Sequence, residues 1–189
     1  MAYLKNPPPK LVAQDQSMFH CWAASLESWI DARKPNTPQA AMTSKQAELI
    51  TSYKDFTGAN DGLMVGKAMI QVMFDFQMML DLHKPQTKGI TLAQIQQRLM
   101  MKSYLWVLFL GGPGLGTFLG HCVVVYGTVD APAPALRVMD PWTGKLEIQA
   151  LDGFNKRETV FVCWHETGPT WSDDMFRIMK AMSVAKKGK

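Results

Sequence analysis

Gln14-Asp15-Gln16-Ser17-Met18-Phe19-His20-Cys21-Trp22-Ala23-Ala24-Ser25 runs from a polar loop directly into an apolar-periodic segment, with one cysteine at the junction. From Trp22 onward the apolar residues Trp22, Leu26, Trp29 and Ile30 recur at intervals of four, three and one, the stripe of an amphipathic helix that buries one side. Cys21 falls in the first turn of that helix. Backbone N–H groups there have no intrahelical partner, and the macrodipole adds partial positive charge, so a thiolate is favoured over a thiol. Only the thiolate attacks a carbonyl, which makes Cys21 a candidate nucleophile. A lone cysteine has a simpler reading as a small buried apolar residue, so the rest of the chain must decide.

Composition bounds the answer. The chain has 189 residues, 47% of them hydrophobic and 19% charged, as in an ordinary soluble globular protein with one domain over 1–189. Residues 1–10 read as an extended lead-in around a proline triplet, with Leu11-Val12-Ala13 a short edge strand after it, and 186–189 as a polar tail. The longest apolar runs, such as Tyr104 to Gly112, are far short of the roughly 20 residues that span a bilayer, so no membrane role is expected. The first ten residues lack the apolar core of a secretory signal, which points to synthesis in a cytoplasm without export by the general pathway. Three cysteines, Cys21, Cys122 and Cys163, without close pairs argue against a disulfide framework and a CxxC-type metal site. A formal charge of +4 is mild and partly sits in Lys186-Lys187-Gly188-Lys189, so no nucleic-acid partner is drawn from it. The methionines Met64, Met69, Met73, Met78 and Met79 read as adaptable core filler.

Along the chain, Lys34 to Pro38 is a breaker, with Thr37 as N-cap and Pro38 opening a helix to about Tyr53. Thr57 to Gly62 is a turn, and Leu63 to Leu80 has helical spacing. Pro85 to Gly89 is a loop, after which Thr91 caps a helix to about Met101 and Gln94 closes a capping box. At Tyr104 the texture turns extended. Tyr104–Leu110, Gly120–Thr128, Leu136–Met139, Leu146–Gln149 and Thr159–Trp164 read as strands, mostly buried on both faces. The glycine-rich Gly111 to Gly116 lacks the lysine and hydroxyl of a phosphate-binding loop and reads as a mobile loop beside the site. Thr170 to Ala185 reads as a closing helix. The class is α+β, a helical half followed by a sheet half.

A thiol nucleophile needs a base, and the base needs an orienting acceptor. Of the four histidines, His20 adjoins Cys21 and cannot face it on a helix, His83 lies in a polar loop, and His165 follows the last strand. His121 opens a strand in Gly120-His121-Cys122-Val123-Val124-Val125-Tyr126-Gly127, where a rigid apolar strand would fix its imidazole. Asp140, in Val138-Met139-Asp140-Pro141-Trp142-Thr143-Gly144, ends a neighbouring strand at a hairpin mouth. An oxyanion on the attacked carbonyl needs donors, which the Cys21 N–H and an upstream side-chain amide, Gln14 or Gln16, would supply.

Together these residues resemble the papain-like cysteine peptidases, and more closely the AvrRpt2-type effector peptidases and the bacteriocin-processing, double-glycine peptidases. The resemblance rests on Gln…Cys-Trp-Ala-Ala-Ser at a helix head, Gly-His-Cys-Val-Val-Val-Tyr-Gly on a strand and Met-Asp-Pro-Trp-Thr-Gly on the next. It implies a papain-like fold with Cys21 as nucleophile, His121 as base and then acid, and Asp140 orienting the imidazole. The oxyanion glutamine usually lies six residues before the cysteine, where this chain has Asp15, so Gln14 and Gln16 both stand. Trp22 and Trp142 would line the cleft and keep it dry. No metal or cofactor is implied.

The function that follows is peptide-bond hydrolysis in a protein substrate. The resemblance also suggests an effector or interbacterial toxin, made without a general secretion signal and delivered by a specialised route into a target cell, with a cognate immunity protein in the producer. Similarity to the double-glycine branch suggests cleavage after small residues such as Gly-Gly. Transglutaminases and glutamine deamidases use the same triad order and remain an alternative, as do a cell-wall amidase of the NlpC/P60 type and a catalytically silent peptidase-like binding module.

Overall fold

Strands that are apolar at every position need cover on both faces, and Leu105-Trp106-Val107-Leu108-Phe109-Leu110 shows how this chain supplies it. Leu105, Val107 and Phe109 enter one buried cluster, while Trp106 and Leu108 enter another on the opposite face. The structure, a computed structural model, describes residues 8–16, 19–33, 46–58, 61–62, 67–84, 87–100, 104–111 and 120–165.

Six strands, β1 (Met78–His83), β2 (Leu105–Leu110), β3 (Gly120–Val129), β4 (Ala135–Asp140), β5 (Lys145–Ala150) and β6 (Thr159–His165), form one antiparallel sheet in the order β1-β6-β2-β3-β4-β5. Helices α1 (Cys21–Arg33), α2 (Gln46–Ser52) and α3 (Lys67–Asp75) cover one face, with a 3₁₀ turn at Lys54–Phe56. Helices α4 (Leu92–Met100) and α5 (Leu151–Asn155) cover the other. The α+β class stands, with the sheet as the middle layer.

The helix at Cys21 forms where its periodicity predicts, but it is not amphipathic in the folded chain. Every residue from Cys21 to Ile30 is buried, because α1 lies between the sheet, α2 and the chain's N-terminal strip. Its polar side chains are engaged accordingly. Glu27 takes an ion pair from Lys10 at 2.9 Å and the Gln46 backbone N–H at 2.6 Å, and Ser28 Oγ donates to the Lys10 carbonyl. Ser25 Oγ accepts from Trp106 Nε1 at 2.8 Å, which ties α1 to β2.

Three expectations change. Leu63–Leu80 is not one helix: α3 ends at Asp75, Gln77 adopts a positive φ of 51°, and Met78 starts β1. Pairing of β1 with β6 at the sheet edge overrides an apolar run that also satisfies helical spacing. His83 therefore ends a strand and is buried rather than lying in a loop, and His165 ends β6. Leu11-Val12-Ala13 makes no strand and runs as irregular backbone. The short α5, with Gly153 at its centre, was not foreseen.

Other readings hold. The capping box is present, with Thr91 N–H donating to Gln94 Oε1 at 2.9 Å and Gln94 N–H to Thr91 Oγ1 at 3.3 Å. Met69, Met73 and Met78 are core residues. The start of the helix placed after Thr37, Met64, most of the Gly111–Gly116 loop and the Thr170–Ala185 helix lie outside the described residues. Among the described residues no helix is long and apolar enough to cross a membrane.

Candidate active site

The candidate site residues gather at the end of the sheet where β3 begins and β4 finishes. Residue 121 shares a face with Val123 and Val125, and Asp140 shares it with Val138, so adjacent strands aim both side chains the same way. His121 Nε2 lies 2.7 Å from Asp140 Oδ1, and the imidazole stands edge-on to Phe109 with centroids 5.5 Å apart. Asp140 is held in turn by the hairpin that it opens. Trp142 N–H donates to Oδ1 at 2.9 Å, and Gln149 Nε2 donates to Oδ2 at 2.9 Å. Gly144 closes that hairpin at φ 63°, and a Cβ there would also sit 3.1 Å from Ala13 Cβ. Both its backbone and its lack of a side chain are needed.

Ala13 is so close because the N-terminal strip crosses the hairpin. Gln14 N–H donates to the Pro141 carbonyl at 2.9 Å, and Gln16 Nε2 donates to the Trp142 carbonyl at 2.6 Å. The strip thus links α1 to the Asp140 turn and carries both glutamines past it.

Cys21 sits at the head of α1, where the first intrahelical bond runs from Ala24 N–H to the His20 carbonyl. Its thiol lies close enough to His121 and Cys122 for both to act on its proton. With Nε2 engaged by Asp140, the imidazole nitrogen left to meet the thiol is Nδ1. The thiol's proton affinity is held well below the ordinary cysteine range. The hydrogen bond from Cys122 is the largest cause; burial opposes it, and the bond and charge of His121 add to it. The Cys122 thiol moves the other way, raised well above the usual range first by burial and then by Cys21. Burial would lower His121, but its bonds to Asp140 and Cys21, with their charges, raise it to about 9. Burial would raise Asp140, yet the His121 bond and charge, the Trp142 N–H and the Gln149 amide lower it. These directions agree on a thiolate–imidazolium pair backed by an ionised carboxylate at neutral pH.

The other histidines are placed elsewhere. His20 Nε2 faces Asp61 Oδ2 at 3.4 Å, burial lowers His83, and burial and then Arg33 lower His165 to about 4. Among the expected cleft residues, Trp142 is 55% exposed on the Asp140 turn, whereas Trp22 is 1% exposed. The Trp22 indole donates to the Asp61 carbonyl and stacks edge-on against Tyr53, a core position that presents no surface to a peptide. The bulk needed to seat α1 in its layer explains that correction.

Two contributors escaped the sequence reading. The sequence reading treats Cys122 only as one of three cysteines without close pairs, although its place beside His121 is a signal. Gln149 gave none, because only the folded β4–β5 hairpin brings it to Asp140. Among the described residues no group of three or more His, Cys, Asp or Glu is arranged to hold a metal ion.

A family model described as papain-like cysteine protease AvrRpt2 matches residues 6–159. No curated protein matches the chain.

Proposed function

Because this chain belongs to the AvrRpt2 family of papain-like cysteine proteases, we propose that its peptide-bond hydrolysis runs through Cys21 as nucleophile, His121 as base and then acid, and Asp140 as the orienting carboxylate. One observation carries this reading: His121 is gripped by Asp140 at 2.7 Å through Nε2, while the Cys21 thiol sits near enough to the same ring for each to shift the other's protonation.

In this mechanism the Cys21 thiolate attacks the substrate carbonyl carbon and forms a C–S bond, and the carbonyl electrons move onto oxygen. The Cys21 backbone N–H at the head of α1 and the Gln14 side-chain amide donate to that oxyanion. Supporting Gln14 over Gln16 are its burial and its backbone tie to Pro141, whereas the Gln16 amide is already given to the Trp142 carbonyl. Collapse of the intermediate breaks the C–N bond, and the leaving amine takes its proton from the His121 imidazolium. Neutral His121 then removes a proton from water as the water attacks the thioester, and the thiolate leaves with its imidazolium partner restored.

The wider role that we propose is that of an effector or toxin acting on a protein of the cell into which it is delivered, with an immunity protein guarding the producer. Its preference would be for small residues, such as Gly-Gly, before the cut. The family's effector character supports the first part; similarity to the double-glycine peptidases motivates the second.

The test compares new protein N-termini in a bacterial lysate treated with the wild-type chain or with Cys21→Ala. New N-termini with wild type alone are expected, and the residues before them read out the specificity. Their absence from both samples, with glutamine-to-glutamate mass shifts or new cross-links in the wild-type sample, would move the assignment to a deamidase or transglutaminase. Bulky residues before the cuts would overturn the small-residue preference.

A further inference from the structure

In the triad proposed above, the second carboxylate oxygen of Asp140 is tied to a side chain with no role of its own in the chemistry. Oδ1 accepts from His121 Nε2 at 2.7 Å and from the Trp142 N–H at 2.9 Å, and Oδ2 accepts from Gln149 Nε2 at 2.9 Å. The pairs Asp140↔Lys145, Val138↔Glu147 and Leu136↔Gln149 put Gln149 on the face of the hairpin that Asp140 uses. β5 is an edge strand with Lys145, Leu146, Ile148 and Ala150 exposed, and Glu147 and Gln149 half-buried.

We propose that Gln149 is a positioning residue for the catalytic histidine, acting through Asp140. A carboxylate held at one oxygen can still turn about its terminal torsion, which is broad and roughly two-fold for aspartate. Such a turn would exchange Oδ1 for Oδ2 and take the acceptor away from Nε2. A donor fixed on Oδ2 blocks the turn, and the same bond stabilises the charged form of Asp140. The Trp142 N–H cannot do this alone, since it shares Oδ1 with the histidine. Gln149 also reaches Glu147 Oε2 at 3.4 Å, so its amide has a second acceptor that fixes which end points at Asp140.

The inference rests on the triad reading, and its test runs on the resting 189-residue chain without a substrate. It uses the downfield proton resonance of the His121 ring N–H held by Asp140, together with the pH profile of iodoacetamide alkylation at Cys21. In wild type the resonance is expected, and the upper limb of the profile, a second rise as the ion pair gives way to the free thiolate, lies near 9, where His121 loses its proton. In Gln149→Leu the resonance should broaden into exchange with water and the upper limb should move to lower pH. Gln149→Lys, which returns a donor to Oδ2, should bring the resonance back. Should Gln149→Leu fail to fold, Gln149→Glu keeps the shape while replacing the donor with an acceptor, and must lose the resonance too. A folded Gln149→Leu or Gln149→Glu protein with the wild-type resonance would overturn the proposal, even if its melting temperature had fallen. A wild-type Cys21 that labels no faster than Cys122 or Cys163 would instead break the triad reading, which separates the two failures.

Discussion

At the scale of single residues, the site depends on three neighbours that share protons. Cys21 is lowered and His121 is raised to about 9, so the thiolate–imidazolium pair is populated between the low thiol limb and about pH 9. Alkylation of Cys21 by iodoacetamide should rise with pH through the thiol limb. Nucleophilic turnover should fall above about 9, once the imidazolium that protonates the leaving amine is gone. Cys122, beside the thiol, should set where the lower limb lies. Cys122→Ala removes the largest cause of the lowered thiol, so the limb should move to higher pH. A hydrogen bond to a charged group is worth about 1.5–3 kcal/mol, so alkylation at a fixed pH on that limb should slow about 10- to 100-fold. An unshifted limb in this variant would mean that His121 and the helix terminus suffice.

Secondary-structure elements divide the labour between carrying chemistry and covering the sheet. α1 carries Cys21, and its polar groups serve as joints: Ser25 to Trp106, Ser28 to the Lys10 carbonyl, Glu27 to the start of α2. On the far face α4 only covers, with Ile95 and Leu99 buried and Thr91–Gln94 closing its first turn. Removing that cap with Thr91→Ala should cost about 1 kcal/mol of stability, read as a lower urea midpoint. Alkylation of Cys21 should keep its wild-type rate, because α4 packs on the sheet face away from α1. A change in that rate would show coupling through the sheet. The capping box was legible because it is a local pattern of two residues three apart. β1 was not, because Met78 to Leu82 suit a helix as well as a strand until β6 is beside them.

The molecule as a whole works by bringing two distant segments together across one interface. The proposed nucleophile comes from a helix near the start of the chain and the proposed base from a strand a hundred residues later, so the candidate site exists only while α1 is docked on β3. Leu26 is fully buried in that docking surface. Leu26→Ala should destabilise the fold by about 2–5 kcal/mol. Across a urea series, tryptophan fluorescence and the loss of selective Cys21 labelling should fall on one curve in both wild type and variant. Labelling that lost its selectivity well before the fluorescence transition would show that α1 undocks separately from the sheet.

By itself the sequence determined that Cys21 heads a helix, that His121 opens a strand, that Asp140 ends the neighbouring one, and the α+β class. Each follows from local rules: helical periodicity, β-branched runs, and a proline and glycine that shape a turn. The tertiary structure decided what those rules cannot reach. It buried α1 on all sides and sent Trp22 to the core, because a helix between two layers has no solvent face. It made β1 from an ambiguous apolar run, since strand pairing is a long-range contact. It also brought Cys122 to the thiol and Gln149 to the carboxylate. Those contacts depend on which faces meet when the sheet twists and the helix docks, and no spacing along the chain encodes them.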